Sequence, residues 1–153
     1  FLKTSKEHTI IFSQWDDMLR KVGKTLTENG IKNVFCRGNV YQRDKTIREF
    51  NSDSTIKIIM LSSESVASGT NLTKANQVIL IDPIYGNYKF RNQTEKQAIG
   101  RAHRLGQKKE IQVIRYLVQD SVEELIHEMN IEEDNSNSDK SINTDKKLSK
   151  KNI

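Results

Sequence analysis

His8-Thr-Ile-Ile-Phe-Ser13 is a short apolar, β-branched run with polar flanks. It reads as a strand buried on both faces. Four similar runs follow, at residues 33–36, 56–61 (Ile-Lys-Ile-Ile-Met-Leu), 77–81 (Gln-Val-Ile-Leu-Ile) and 111–118 (Ile-Gln-Val-Ile-Arg-Tyr-Leu-Val). Helical patterns separate them. Residues 16–29 carry Met18, Leu19, Val22 and Leu26 at helical spacing, and Gly30 is a stop signal. Asn39 is expected to cap a second helix, with Gln42 as its box partner and Ile47 and Phe50 on the inner face. A third helix is expected over about residues 92–104, and a closing one capped by Ser121 with Glu124. Strands that alternate with helices, and show little inside-outside alternation themselves, predict an α/β domain. Its central sheet is mostly parallel, with helices on both faces. Ligands of such sheets sit beyond the carboxyl ends of the strands, here the loops after Ser13, Leu61 and Ile81.

The chain has 153 residues, a formal net charge of +5 and 35% hydrophobic residues. That suffices for one core and not for two. The sequence starts at Phe1 rather than Met and is read as a piece of something longer. No run of about 18 apolar residues is available to span a membrane, and no basic-then-apolar leader is visible. Cys36 is the one cysteine, so neither an internal disulfide nor a cysteine zinc site can form, and a reducing compartment fits. His8, His103 and His127 are scattered, and no metal site is expected. Residues 130–153 are Asn, Ser, Asp and Lys with few apolar side chains and balanced charge, so they are expected to be a disordered tail after an ordered domain of residues 1–129. The excess of positive charge therefore lies in 1–129. Lys89, Arg91, Lys96, Arg101, Arg104, Lys108, Lys109 and Arg115 face only Glu95 and Glu110 between residues 84 and 116. That concentration suggests either a polyanion partner or a solvated face.

Gln97-Ala-Ile-Gly-Arg101-Ala-His-Arg104-Leu-Gly-Gln107 carries the chemistry. On a helix, Arg101 and Arg104 at i and i+3 would leave the same face. Gly100 beside them would let another backbone or a phosphate approach closely. Paired guanidiniums suit a phosphate that gains charge during transfer. By spacing alone, a solvated basic helix end is as good a reading. One further pattern is a decoy: Gly23-Lys24-Thr25 ends like a phosphate-binding loop, but Met18 stands where the first glycine is needed, and the segment lies inside a helix pattern.

The string from Gln97 to Gln107 resembles motif VI of superfamily-2 helicases, in the form found in SWI/SNF-type DNA-dependent ATPases, including the final Leu-Gly-Gln. Ile10-Ile-Phe-Ser-Gln-Trp15 resembles motif IV of that family. By itself, Ser13-Gln14-Trp15 is either a phosphate-holding turn or a plain helix start with Trp15 in the core. The segment with Gly38, Arg43, Phe50 and Asn51 resembles a further family segment, and a capped surface helix also explains it. Ala67-Ser-Gly-Thr-Asn-Leu-Thr73 resembles motif V, with Val66 and Ala67 where a Gly-Gly pair is common. Residues 84–94 combine Tyr85, Tyr88 and Phe90 with Lys89 and Arg91, which could stack on bases or pack on the sheet.

The resemblance implies a RecA-like three-layer sandwich, the second lobe of a two-lobed motor. It implies ATP and Mg²⁺ as cofactors, bound mainly by a first lobe not in this sequence. Arg101 and Arg104 would meet the γ-phosphate, with Arg104 as the arginine finger. Gln97, Gly100, Gly69 and Asn71 would lie at the nucleotide. Ser13, Gln14, Arg43, Ser68 and Thr70 would contact nucleic acid. Partners would be double-stranded DNA held through its phosphates, the N-terminal RecA-like lobe and, in a remodelling enzyme, nucleosomes. Localisation would be nuclear, or cytoplasmic for a viral or prokaryotic source. An RNA helicase lobe, and a scaffold lobe of a larger protein such as a RING-type ubiquitin ligase, remain as alternatives.

Overall fold

A computed structural model describes residues 2, 5–66 and 69–149. The elements, in chain order, are β1 (Thr9–Ser13), α1 (Asp16–Glu28), β2 (Asn33–Cys36), α2 (Val40–Ser52), β3 (Ile58–Ser62), α3 (Ser63–Val66), β4 (Gln77–Leu80), α4 (Tyr88–Ala102), β5 (Gln112–Arg115) and α5 (Val122–Ser149). The five strands form one sheet in the order β2-β3-β1-β4-β5, and every pairing is parallel. β1 is central, with Ile10 opposite Ile59 on one side and Val78 on the other. The expected α/β architecture is therefore present, and wholly rather than mostly parallel.

Successive residues of a strand point to opposite faces. Ile10 and Phe12 of β1 join Ile59, Leu61, Val78 and Leu80 in one core, closed by Ile47 and Phe50 of α2 and Ala98 and Ala102 of α4. Ile11 joins Ile58, Met60 and Ile79 on the other face, closed by Leu19 and Leu26 of α1. The sheet is buried on both sides, which is why its strands read as unbroken apolar runs. The decoy Gly23 has a packing role, since a Cβ there would come within 2.7 Å of Met60 Cε. Burial pushes the Cys36 thiol up to about 11, so it stays protonated and unreactive at neutral pH.

α2 begins as expected. Asn39 Oδ1 accepts from the Gln42 amide, and Gln42 Oε1 accepts from the Asn39 amide. Elsewhere the boundaries move. α4 starts at Tyr88, not near residue 92, because the Asn87 side chain caps it by accepting from the Phe90 amide at 2.9 Å. Most of the aromatic-basic stretch is thus helix. The last strand is shorter than expected, ending at Arg115, with the Tyr116 amide still donating to the Leu80 carbonyl and residues 116–118 exposed. Ser121 does not form a capping box with Glu124. Its hydroxyl accepts from the Glu123 amide, and the Glu124 carboxylate accepts from Asp120.

The expected tail begins inside a helix. α5 passes through residue 129 without a break. Arg91 of α4 is 6% exposed, and its guanidinium pairs with Glu133 at 2.7 Å and Asp134 at 3.4 Å. Asn130 donates to the Ile84 carbonyl, and Glu133 accepts from the Tyr88 amide. The first residues of the expected tail therefore pair with a buried cation. Composition hid this because the anchors are polar and their partner is about 40 residues away.

Candidate functional site

α4 ends at Ala102, with His103 as its C-cap at ψ 78°. Arg101 is on the last turn and Arg104 lies beyond the helix. They do not share a helical face as the i, i+3 spacing suggests. What brings them together is the loop after β3. Arg101 Nη2 donates to the Val66 carbonyl, and Arg104 Nη1 donates to the Gly69 carbonyl at 2.8 Å. The Leu72 amide donates back to the Arg101 carbonyl at 3.0 Å. These bonds tie the end of α3 and the segment that resembles motif V to the segment that resembles motif VI.

Gly69 sits at φ +77°, the left-handed region where glycine carries no steric cost. The chain turns there and aims its carbonyl at Arg104. Gln107 closes the arrangement from below. Its Nε2 lies 3.1 Å from the Thr73 carbonyl, 2.8 Å from Ala75 and 3.2 Å from Ala102, and its Oε1 accepts from the Lys109 amide. Long-range contacts of this kind leave no local signal, and the sequence reading gave Gln107 no such role.

Arg101 is half-buried. Burial first, and the neighbouring Arg104 charge second, lower its pKa from the ordinary guanidinium value. The group remains a cation at neutral pH. Its Nε and the Thr70 hydroxyl are shut off from the surface with no hydrogen-bond partner among the described residues. A buried donor without a partner is costly, and donors beside two arginines fit a phosphate. Among the described residues, a Cβ on Gly100 would meet nothing within 4 Å, so they leave this face of α4 open to an approaching group. Gln97 lies about one turn earlier, beside Asn92, Gln93 and Lys96. Asn71 is exposed, its Oδ1 accepting from Thr73 and its carbonyl from Asn51. Ser68 lies outside the described residues.

The other candidates fall elsewhere. Ser13 is fully buried. Its hydroxyl donates to Asp82 Oδ2 and accepts from the Trp15 amide, which leaves it nothing to offer a nucleic acid strand. Gln14 holds the Tyr85 backbone at both ends, through Nε2 to the carbonyl and Oε1 from the amide. Trp15 is 57% exposed and not in the core. Asp82 is 5% exposed, and burial raises its carboxyl pKa against the lowering by Ser13 and the Gln14 backbone. Arg43 donates to the Gly38 carbonyl at 2.9 Å and lies 3.7 Å from Glu64. It lines a separate recess of about 630 Å³ beyond β1, β2 and β3, where Arg20, Arg37 and Lys45 stand among the acids Asp16, Glu49 and Glu64. Among the described residues, no helix is long and apolar enough to cross a membrane.

Residues 1–106 match the model of the helicase conserved C-terminal domain. The chain belongs to that family. The lobe is 34% identical over 125 residues to DNA repair protein RAD5A of Arabidopsis thaliana, covering 80% of this chain and 12% of that protein. It is 38% identical over 120 residues to helicase-like transcription factor CHR28 of the same plant, covering 77% of this chain and 12% of that one. The crystal structure of the C-terminal part of the Fun30 ATPase domain superposes with a TM-score of 0.72 at 31% identity, covering 82% of this chain and 39% of that one. The helicase lobe is thus of the SWI/SNF superfamily-2 type, with the RecA-like fold, and spans about a tenth of these curated relatives' length.

Proposed function

We propose that this lobe is the second motor half of an ATP-dependent translocase on double-stranded DNA, of the repair or chromatin-remodelling kind, working in the nucleus. The observation that carries the reading is the Arg101–Arg104 pair held on the carbonyls of Val66 and Gly69. It is supported by the unpartnered Arg101 Nε and Thr70 hydroxyl beside that pair, and by relatives named for DNA repair and transcription.

In this account ATP and Mg²⁺ are held mainly by the first lobe, and the nucleotide supplies the phosphoryl group transferred to water. Arg104, the more exposed of the two, reaches the γ-phosphate as the finger. Arg101, more buried and wedged under the loop, fixes the loop and adds a second charge. Preorganised cations of this kind stabilise charge that develops in transfer, by about a thousandfold or more in rate. Gln97 and Gly100 form the adjoining helix face at the nucleotide, and Asn71 and Thr70 lie where nucleotide and DNA strand would meet. Because Gly69, Thr70 and Leu72 share the loop with the arginines' acceptors, closure on the nucleotide moves the DNA-facing loop too. The recess with Arg43, Arg37, Arg20 and Lys45 contributes phosphate contacts, which hold a duplex with little sequence preference.

The test is steady-state ATP hydrolysis with and without duplex DNA. The full-length protein should be stimulated by DNA, and residues 1–153 alone should stay at background because the first lobe is absent. Hydrolysis by the lobe alone would overturn the two-lobe account. A full-length protein without DNA-stimulated hydrolysis would favour a scaffold role.

A further inference from the structure

Leu105 stands directly after the finger residue and is 97% exposed, the highest value among the large hydrophobic residues described. The other exposed hydrophobics reach at most 72%. A single partly exposed leucine needs no explanation. One held almost wholly in solvent on a fixed turn is different, because nothing in this lobe gains from it.

The turn that carries it is firmly tied. The His103 amide donates to Ile99, the Arg104 amide to Ala102, and the Gln107 amide to the Arg104 carbonyl at 3.0 Å. Gly106 at φ +100° lets the chain reverse immediately after Leu105. The Gln107 side chain then clamps the turn to the carbonyls of Thr73, Ala75 and Ala102. The side chain of Leu105 is thus presented by a loop whose backbone is bonded on both sides of it.

We propose that Leu105 is a docking knob that enters an apolar recess of the first lobe when the two lobes close, and so sets the position of Arg104. The inference rests on the two-lobe reading above. Three observations favour the first lobe as occupant. Leu105 is the residue next to Arg104, so whatever carries the phosphate that Arg104 meets must lie within reach of Leu105. The chain spans 12% of its repair relative, a length that leaves ample polypeptide for such a partner. An aliphatic side chain also has no donor or charge for a DNA backbone, which is contacted through cations, polar groups and amides. Leu105 is a positioning residue. It contributes only in the closed state, where its burial favours closure and the angle of the neighbouring guanidinium.

The experiment uses the full-length protein with one dye on each lobe. Energy transfer is followed on adding a non-hydrolysable ATP analogue and duplex DNA, alongside DNA-stimulated hydrolysis. Leu105→Gln keeps the size and removes the apolar surface, and Leu105→Met keeps both. Leu105→Gln is expected to lower kcat about tenfold and to shift the dye pair toward the open state, with affinity for the analogue within about twofold of wild type. Leu105→Met is expected to restore closure and turnover. Wild-type closure and turnover in Leu105→Gln, with Arg104→Ala inactive, would overturn the knob alone. Weakened DNA affinity with normal closure would assign Leu105 to the DNA and also overturn it. Wild-type turnover in Arg104→Ala would overturn the two-lobe reading, and this inference with it.

Discussion

Arg104 Nη1 donates to the carbonyl of Gly69 at 2.8 Å, across 35 residues of chain. With Arg101 on Val66, this makes the loop after β3 the holder of both guanidiniums. Gly69→Ala tests that dependence. Among the described residues the new Cβ would meet only Arg101 Nη1, at 4.0 Å, which is ordinary contact. The left-handed φ would instead cost about 1 kcal/mol and press the loop to relax. DNA-stimulated kcat of the full-length protein should fall about tenfold, with a small change in Tm. Unchanged kcat would show that the finger does not depend on this turn.

Gln107 contributes to the site only by holding backbone. Gln107→Ala removes the donor shared by three carbonyls and should destabilise the fold by about 1–3 kcal/mol. Gln107→Glu should be worse, because an acceptor would then face three acceptors. Urea unfolding of the two variants checks the order, and Gln107→Glu more stable than Gln107→Ala would contradict this geometry.

Asp82 predicts a pH dependence. Burial raises its pKa in the fold above the ordinary value of 3.8. In the pH interval between these two values the folded state binds more protons than the unfolded state, so stability falls as pH rises through it. The cost persists at higher pH. Asp82→Asn should therefore be more stable than wild type at neutral pH, and the difference should close as pH falls toward 3.8. The Asn oxygen can still accept from Ser13. Thermal melts across that range measure it, and a difference that grows on acidification would reverse the sign.

Much of the fold was legible because the sheet is buried on both faces. Ile10, Ile11, Phe12, Ile58, Ile59 and Leu61 declare their environment by composition alone. The Asn39–Gln42 box was legible because its partners are three residues apart. What failed was nonlocal or polar. The bond from the Ser13 hydroxyl to Asp82, 69 residues on, has no local signal in the sequence. Asn130, Glu133 and Asp134 looked like tail until Arg91 appeared as their partner. The helical-face argument for Arg101 and Arg104 does not hold, since α4 stops between them. Their convergence comes from a loop that periodicity cannot see.

The central claim is that Arg104 acts on a nucleotide held by another lobe. The direct measurement is DNA-stimulated ATP hydrolysis by the full-length protein, wild type against Arg104→Ala, with nucleotide affinity measured in parallel. The account predicts a fall of about a hundredfold or more in kcat with affinity retained. Turnover within a few-fold of wild type would contradict it and leave Arg101 and Arg104 as braces of the loop after β3.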